Sequence, residues 1–249
     1  MDGTMDTVAE DLCQAVRSGR EVRRHGPYRV LIGDEALQFE PRVIADPVPT
    51  GAQILEAAGV TSPTDYVSYR ILKSGLLEEL RPDETTDLRE SGVERFIVFR
   101  TDRSFRLLLN DRSFDWGASH ITGLTLKKLA SVELADTEVW LDVPGGVSRH
   151  IGDMEFADLA APGVERFYTR AKVYKIVVNT RPKEVLTPKL TFWEVVKLAF
   201  PDATPSQTTF YTVTYKRGPS SNPEGSMVDG ETVHLKDGML FNVTPTDKS

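Results

Sequence analysis

The sequence predicts an α+β protein made of three tandem copies of one small domain, which follow a short helical arm. Three observations support this prediction. A five-residue string recurs at a domain-sized interval, one strand signature begins every copy, and a threonine-capped helix pattern lies in the middle of every copy. A recurring unit determines the architecture of the whole chain. We therefore base the predicted fold class on these observations rather than on amino-acid composition.

The clearest repeat is the string Gly-Val-Glu-Arg-Phe, which occupies 92–96 and returns at 163–167. Each string follows an Asp-Leu pair, at 87–88 and at 158–159. A degenerate third copy, Gly-Met-Leu-Phe, occupies 238–241. The three copies are 71 and then 75 residues apart, which indicates units of domain size.

Each copy begins with an aromatic residue, a basic residue and three aliphatic residues. These segments are Tyr28–Ile32, Phe105–Leu109 and Tyr174–Val178. Turn-forming residues follow each segment, which is typical of a first strand that enters a hairpin. The turn formers are Gly33-Asp34, Asn110-Asp111 and Asn179.

A helix pattern follows the hairpin in every copy. We predict that the threonine before each helix is its N-cap, because a side-chain hydroxyl there satisfies a free amide of the first turn. The three threonines are Thr50, Thr122 and Thr191. Gln53 and Glu194 occupy the third helical position in the first and third copies, where they complete a capping box.

A strand, a short strand and a closing strand come after each helix. A hairpin with one helix across it must recruit such strands to complete a mixed sheet, so each copy is predicted to have the β-grasp layout. The predicted parts are the arm at 1–26 and the domains at 27–102, 103–172 and 173–249.

Charge and hydropathy exclude several classes of protein. The net charge of −7 and the pI of about 5.2 give no reason to expect nucleic acid or an anionic membrane as partner. The chain has no run of about 18 apolar residues, so we expect no transmembrane helix. The acidic first 20 residues do not resemble a secretory signal, and we therefore expect a cytoplasmic protein.

The residues that carry enzyme chemistry are sparse. The single cysteine, Cys13, lies on the predicted helix of the arm, where a cysteine usually serves as a small apolar side chain. The four histidines show no metal-ligand spacing. We expect no enzyme, no catalytic residue, no bound metal and no cofactor.

The last copy resembles the terminal domain of the bacterial multi-ubiquitin family of ubiquitin-like proteins. The residues that carry this resemblance are Gly218-Pro219, Asn222-Pro223-Glu224-Gly225, Val228-Asp229-Gly230 and Lys236–Thr244. The resemblance extends over 27–249. It implies a bacterial protein modifier that E1-like and E2-like enzymes activate and attach to target proteins. It also implies a metalloprotease-like processing partner and a role in antiviral defence.

A modifier of this type needs a flexible carboxyl tail that threads a narrow channel, for which glycine is best suited. The predicted conjugation tail, Pro245, Thr246, Asp247, Lys248 and Ser249, contains no glycine. Three interpretations follow. The Ser249 carboxylate is activated as it stands, which we favour, or a protease first trims the tail, or the protein is never conjugated.

The third copy also carries a long segment, Lys216–Asp229, which is rich in Gly, Pro, Ser and Asn. One interpretation is a solvated loop. The other is a docking loop by which a partner distinguishes the last copy from the first two. The predicted docking residues are Gly218, Pro219, Asn222, Pro223, Met239 and Phe241.

The arm carries an apolar stripe on a predicted helix, which Thr7 would cap with Glu10 at the third position. The stripe consists of Val8, Leu12, Ala15 and Val16. It either packs on the first domain or docks on a neighbouring molecule and supports a homo-oligomer. The alternative function is therefore a non-conjugated tandem scaffold that assembles through its arm or its β edges into oligomers or filaments.

Overall fold

A computed structural model of the chain describes residues 8–90, 92–206 and 208–247. The chain divides into two compact units, Met1–Arg170 and Ala171–Ser249. The first unit contains two repeats and the second contains one. Among the residues described, no helix is both long enough and apolar enough to cross a lipid bilayer.

The arm and the first repeat form one sheet with a helix. The elements are β1 (Glu10–Asp11), α1 (Leu12–Arg17), β2 (Tyr28–Gly33), β3 (Phe39–Ile44), α2 (Gly51–Ala57), a 3-10 turn (Pro63–Asp65), β4 (Tyr66–Ile71), β5 (Leu77–Leu80) and β6 (Arg95–Arg100). The sheet has the order β1-β2-β6-β4-β5, and β3 covers the other edge of β2. β2 and β6 are parallel, whereas β3, β4 and β5 are antiparallel to their neighbours.

The second repeat has the same order of main-sheet strands and helix, with two short strands in addition. Its elements are β7 (Phe105–Leu109), β8 (Arg112–Trp116), β9 (His120–Thr122), α3 (Gly123–Ala130), β10 (Thr137–Leu141), β11 (Arg149–Ile151), β12 (Phe156–Asp158) and β13 (Arg166–Ala171). The main sheet runs β11-β10-β13-β7-β8, and β9 pairs with β12 in a separate ladder.

The third repeat forms a unit by itself. Its elements are β14 (Tyr174–Val178), β15 (Arg181–Val185), β16 (Lys189–Thr191), α4 (Phe192–Ala199), β17 (Thr209–Lys216), β18 (Glu224–Met227), β19 (Thr232–His234) and β20 (Leu240–Asp247). The main sheet runs β15-β14-β20-β17-β18, with β14 and β20 parallel. The main sheets of the three repeats therefore share one strand order.

The predicted helix caps are confirmed in all three repeats. Each threonine hydroxyl accepts a hydrogen bond from the backbone N–H three residues later, at 3.1–3.3 Å. The side-chain oxygens of Gln53 and Glu194 accept hydrogen bonds from the backbone N–H groups of Thr50 and Thr191 and complete two capping boxes. The helices begin where they do because these caps satisfy amides that the helix itself leaves free.

The first two repeats share a hydrophobic core. One face of the first sheet packs under α2, and the opposite face carries Tyr69, Ile97 and Phe99, which are buried against side chains of the second repeat. Gly117 lies directly against the Phe99 ring, so that a Cβ atom there would come within 2.5–2.7 Å of it. The first sheet is therefore apolar and covered on both faces.

The third repeat has a core of its own. Buried residues of α4 and of the inner face of its sheet fill it, as expected for one helix across one sheet. The main contributors are Phe192, Val195, Val196, Val213, Tyr215, Met239, Phe241 and Val243.

The prediction for the start of the arm helix is wrong. The helix begins at Leu12, and Asp11 is its N-cap, accepting a hydrogen bond from the Gln14 amide. Glu10 lies in β1, which pairs in parallel with β2, and Thr7 lies outside the described residues. Asp is as good an N-cap as Thr, and the pairing of β1 with β2 decides between them.

The segment Lys216–Asp229 is also different from the prediction of a single loop unique to the third repeat. It contains β18, which pairs with the end of β17. The connection at 217–223 has its counterpart at 142–148 of the second repeat, between β10 and β11, and both contain seven residues. The segment is therefore a hairpin that belongs to the common fold.

Candidate functional site

The predicted conjugation tail continues the closing strand of the third repeat. Pro245, Thr246 and Asp247 are the last residues of β20, where they pair with Tyr211, Phe210 and Thr209 of β17, respectively. The expectation of a flexible tail is therefore wrong for these three residues, because β17 is long enough to pair with them. Lys248 and Ser249 lie outside the described residues.

The end of β20 extends beyond the rest of the sheet. β14 pairs with β20 only at Leu240 and Phe241, and β18 pairs with β17 only from Val213 onward. Residues 209–212 and 244–247 thus form a two-stranded extension, which we name the terminal ribbon. A ladder of two strands is marginally stable by itself, and residues 244–246 bury no side chain, so we expect the end of β20 to be the weakest part of this sheet.

The β20 strand of the ribbon lies outside the core at 244–246. The side chain of Val243 is buried, whereas those of Thr244, Pro245 and Thr246 are exposed. Phe210 on β17 is exposed beside Thr246. Residues 244–246 are therefore held by backbone pairing with β17, whereas Tyr211 of β17 packs against Trp193 and Phe200 at the margin of the core.

Asn179 marks the boundary between the core and the ribbon. It follows the last residue of β14, and its side-chain amide takes the place of a further β14 residue. Its Nδ2 donates to the Val243 carbonyl at 2.9 Å, and its Oδ1 accepts from the Val243 N–H at 2.7 Å. Asn179 has φ of 46°, a left-handed conformation that asparagine tolerates better than most residues.

The second repeat contains the same arrangement. Oδ1 of Asn110 accepts from the Thr169 N–H at 2.8 Å, and its Nδ2 donates to the Thr169 hydroxyl at 2.9 Å. The sequence indicated only that both asparagines form turns. The two asparagines occupy equivalent positions in their repeats, and this equivalence was the one sign of a shared role. Their hydrogen-bond partners lie 59 and 64 residues away, and spacing in the sequence does not identify them.

Pro245 removes a hydrogen-bond donor from the open edge of the ribbon. Along β20, the carbonyls of Met239 and Phe241 face β14 and accept from the N–H groups of Val177 and Asn179. Because backbone direction alternates along a strand, Pro245 also faces that side, where no strand covers it. A proline there leaves no N–H for another strand to bind.

The edge strands of the first and third sheets carry prolines in equivalent places. Pro41 of β3 lies opposite Leu31, and Pro182 of β15 lies opposite Val177. Leu31 and Val177 donate their N–H groups to the chain on their other side, so the nitrogen atoms of both prolines face outward. Both edges are therefore poor templates for pairing with another chain.

The predicted docking residues divide into two groups. Met239 and Phe241 are buried in the core of the third repeat, which corrects the expectation that their side chains are available to a partner. Gly218 is buried in a tight turn, where its N–H donates to the Pro223 carbonyl at 2.8 Å. Asn222 and Pro223 are exposed, and a docking role for this turn stays a prediction.

The apolar stripe of the arm is only partly exposed. Leu12 and Ala15 are buried in the first repeat, Val16 is half-buried and Val8 is 74% exposed. The buried carboxylate of Glu10 pairs with Arg20 at 2.6 Å and with Arg23 at 2.8 Å. The two Glu10 pairs brace the arm itself, whereas the burial of Leu12 and Ala15 and the pairing of β1 with β2 hold the arm on the first repeat. A role of the stripe in oligomers stays a prediction.

The residues with enzyme chemistry do not form a site in the described part of the chain. Burial raises the pKa of the Cys13 thiol, and the nearby carboxylate of Glu94 raises it further, so the reactive thiolate is disfavoured. Within residues 8–90, 92–206 and 208–247, no group of three His, Cys, Asp or Glu side chains could hold a metal ion.

The recurring strand order, the capped helix in each copy and the exposed end of the last strand define a protein of three tandem ubiquitin-like repeats. The Multiubiquitin family model matches residues 36–101, 105–172 and 174–247. The chain belongs to the multiubiquitin family, which confirms the resemblance found in its sequence. A comparison with the curated proteins found no match.

Proposed function

We propose that this protein is a modifier that an E1-like enzyme activates at the carboxyl end of its third repeat and an E2-like enzyme transfers to target proteins. Each repeat is a β-grasp domain in this proposal. The strand order supports this, because the first hairpin, the closing strand and the two remaining strands lie in the order second, first, fifth, third and fourth in every repeat.

The observation that carries the proposal is the exposed end of β20. The closing strands of the first two repeats, β6 and β13, lead within a few residues into the first strand of the next repeat. β20 instead ends in the terminal ribbon, where its side chains at 244–246 are exposed. An enzyme can adenylate a carboxylate only if it can reach it, so the chain must emerge from the fold at an exposed end such as this one.

The wider setting of the proposal rests on family membership and on the resemblance of the last repeat. The modifier acts in the cytoplasm of a bacterium, in antiviral defence, together with activating, conjugating and metalloprotease-like partners. The Ser249 carboxylate is activated as it stands. Trimming by the processing enzyme is the alternative for the tail, since the tail has no glycine.

Intact-protein mass spectrometry tests the proposal. The full chain is incubated with the E1-like and E2-like proteins of its operon, ATP and magnesium, and a covalent adduct is expected. Deletion of 245–249 should abolish the adduct, whereas deletion of five residues at the other end, 1–5, is the matched control and should preserve it. An adduct that survives the first deletion would contradict the proposal.

A non-conjugated scaffold is the second candidate. Assembly through the outer edges of β3 and β15 is disfavoured by Pro41 and Pro182, each of which removes one outward-facing donor. The absence of an adduct with partner enzymes that turn over ATP would favour the scaffold. The molar mass of the chain in solution, from light scattering, would then decide whether it assembles.

A further inference from the structure

The backbone of the terminal ribbon offers its hydrogen-bonding groups unequally on its two edges. The N–H and C=O groups of Thr244 and Thr246 face β17, since they alternate with those of the residues that face β14. On the open edge, Pro245 has no N–H. A partner strand that approached the open edge would therefore find no donor at the centre of the ribbon.

We propose that a partner enzyme captures residues 244–247 as an extended strand along the edge that β17 covers, so that capture requires the ribbon to open. This inference rests on the proposed function and names the kind of partner that the site fits, namely one that presents an extended strand of its own. Such a strand replaces β17 and regains the hydrogen bonds of Thr244 and Thr246.

Asn179 sets the limit of the opening. Its two hydrogen bonds hold the backbone of Val243 on the side of β14, and the Val243 side chain is buried in the core. Opening therefore stops at Val243 and releases residues 244–247, which span about 13 Å when extended. The rest of the third repeat stays folded while its end is captured.

Hydrogen exchange measured by NMR on the full chain tests the opening without any partner. The amides of Thr244 and Thr246 should exchange at least about tenfold faster than that of Asn242, which faces β17 on the same strand. Equal exchange of the three amides, at the rate of global unfolding, would overturn the proposal.

Two matched variants test the boundary. Asn179→Gly keeps the left-handed backbone and removes the side-chain amide, so the Val243 amide should exchange about tenfold faster. Asn110→Gly removes the equivalent contact in the second repeat and should affect the Thr169 amide alone. An unchanged Val243 amide in Asn179→Gly would overturn the assigned boundary.

A disulfide that can be formed and reduced tests whether capture requires the ribbon to open. Thr209 and Asp247 lie opposite each other in the ladder of β17 and β20, and opposite residues of an antiparallel pair have Cα atoms about 4.5–5.5 Å apart, a distance that a disulfide can span. The double variant Thr209→Cys/Asp247→Cys, in a Cys13→Ala background, closes the ribbon when oxidised. Adduct formation should fall at least tenfold in the oxidised protein and return in the same protein after reduction.

The outcomes distinguish the two proposals. An oxidised variant that forms adduct as fast as its reduced form would overturn the capture by strand replacement and leave the proposed function intact. A wild-type chain that forms no adduct with active enzymes would overturn the proposed function, and the capture with it. The single variant Asp247→Cys controls for the loss of the Asp247 side chain.

Discussion

The ring of Phe99 in the first repeat lies edge-on to the indole of Trp116 in the second, with the ring centroids 4.7 Å apart. Tyr69 meets the same phenylalanine ring at 5.6 Å, also edge-on. All three rings are buried, and edge-to-face pairs of this kind add stability beyond the burial of their area. The first two repeats are therefore expected to unfold together.

Gly117→Ala should destabilise this shared core. The added Cβ would lie 2.5–2.7 Å from the Phe99 side chain, and relief of such overpacking typically costs about 1–3 kcal/mol. Chemical denaturation of the full chain measures the loss. Gly152→Ala is the matched control, because its new Cβ would meet only ordinary contacts from 3.6 Å. Equal stabilities of the two variants would contradict the close packing.

Tyr69→Phe should leave stability unchanged or raise it. The buried Tyr69 hydroxyl makes no hydrogen bond of ordinary geometry among the described residues, and burial, opposed in part by the nearby Ser104 side chain, raises the pKa of Tyr69 to about 12. Tyr28→Phe is the control, since the equally buried Tyr28 hydroxyl donates to the Arg23 carbonyl at 2.9 Å. Loss of this hydrogen bond should lower the free energy of unfolding by about 1 kcal/mol. A larger loss for Tyr69→Phe than for Tyr28→Phe would show that the Tyr69 hydroxyl has a partner.

Glu10→Gln should loosen the arm. The Glu10 carboxylate is 2% exposed and bonds two arginines, and a buried hydrogen bond to a charged group is worth about 1.5–3 kcal/mol. Protease cleavage within the arm should accelerate in the variant. Glu40→Gln breaks an exposed pair with Arg42 and should change stability by less than about 0.5 kcal/mol. An arm that resists cleavage in Glu10→Gln would contradict this role.

Glu194 should contribute a stabilisation that depends on pH. The Thr191 backbone N–H and then the Thr191 hydroxyl hold the pKa of the Glu194 carboxyl below its ordinary value. A depressed pKa in the folded state gives stability that is present above the unfolded-state pKa and is lost as pH falls through the folded-state pKa.

Glu194→Gln removes this acid-sensitive contribution and keeps a capping box, because Gln53 fills the same position in α2. The difference in stability between wild type and variant, measured by denaturation across acidic and neutral pH, should therefore favour wild type more at neutral pH. A difference that grows as the pH falls would have the wrong sign and would contradict the assignment.

The parts of the fold that depend on neighbours in sequence could be predicted. The caps Thr50, Thr122 and Thr191 interact with residues three positions later, and the first strands carry their pattern within five residues. The shared core also left a signal, because β4 and β6 carry apolar residues on both faces, which is typical of a sheet covered on both sides.

The parts that depend on distant residues could not be predicted. The terminal ribbon exists because β17 begins as early as Thr209, and the contact of Asn179 with Val243 joins residues 64 apart. The arm helix was predicted to follow a cap at Thr7, but the pairing of Glu10 in β1 places the cap at Asp11. The pattern of neighbouring residues gives no information on which distant segments pair or on the register of their pairing.

The position of the covalent bond tests the central claim most directly. Tandem mass spectrometry of a digested adduct, formed with the E1-like and E2-like partners, identifies the two residues that are joined. The account predicts a branched peptide in which the carboxyl end of the third repeat, at Ser249 or at a trimmed residue before it, forms an amide with a lysine of the target. A bond through an internal side chain, or through either of the first two repeats, would contradict it.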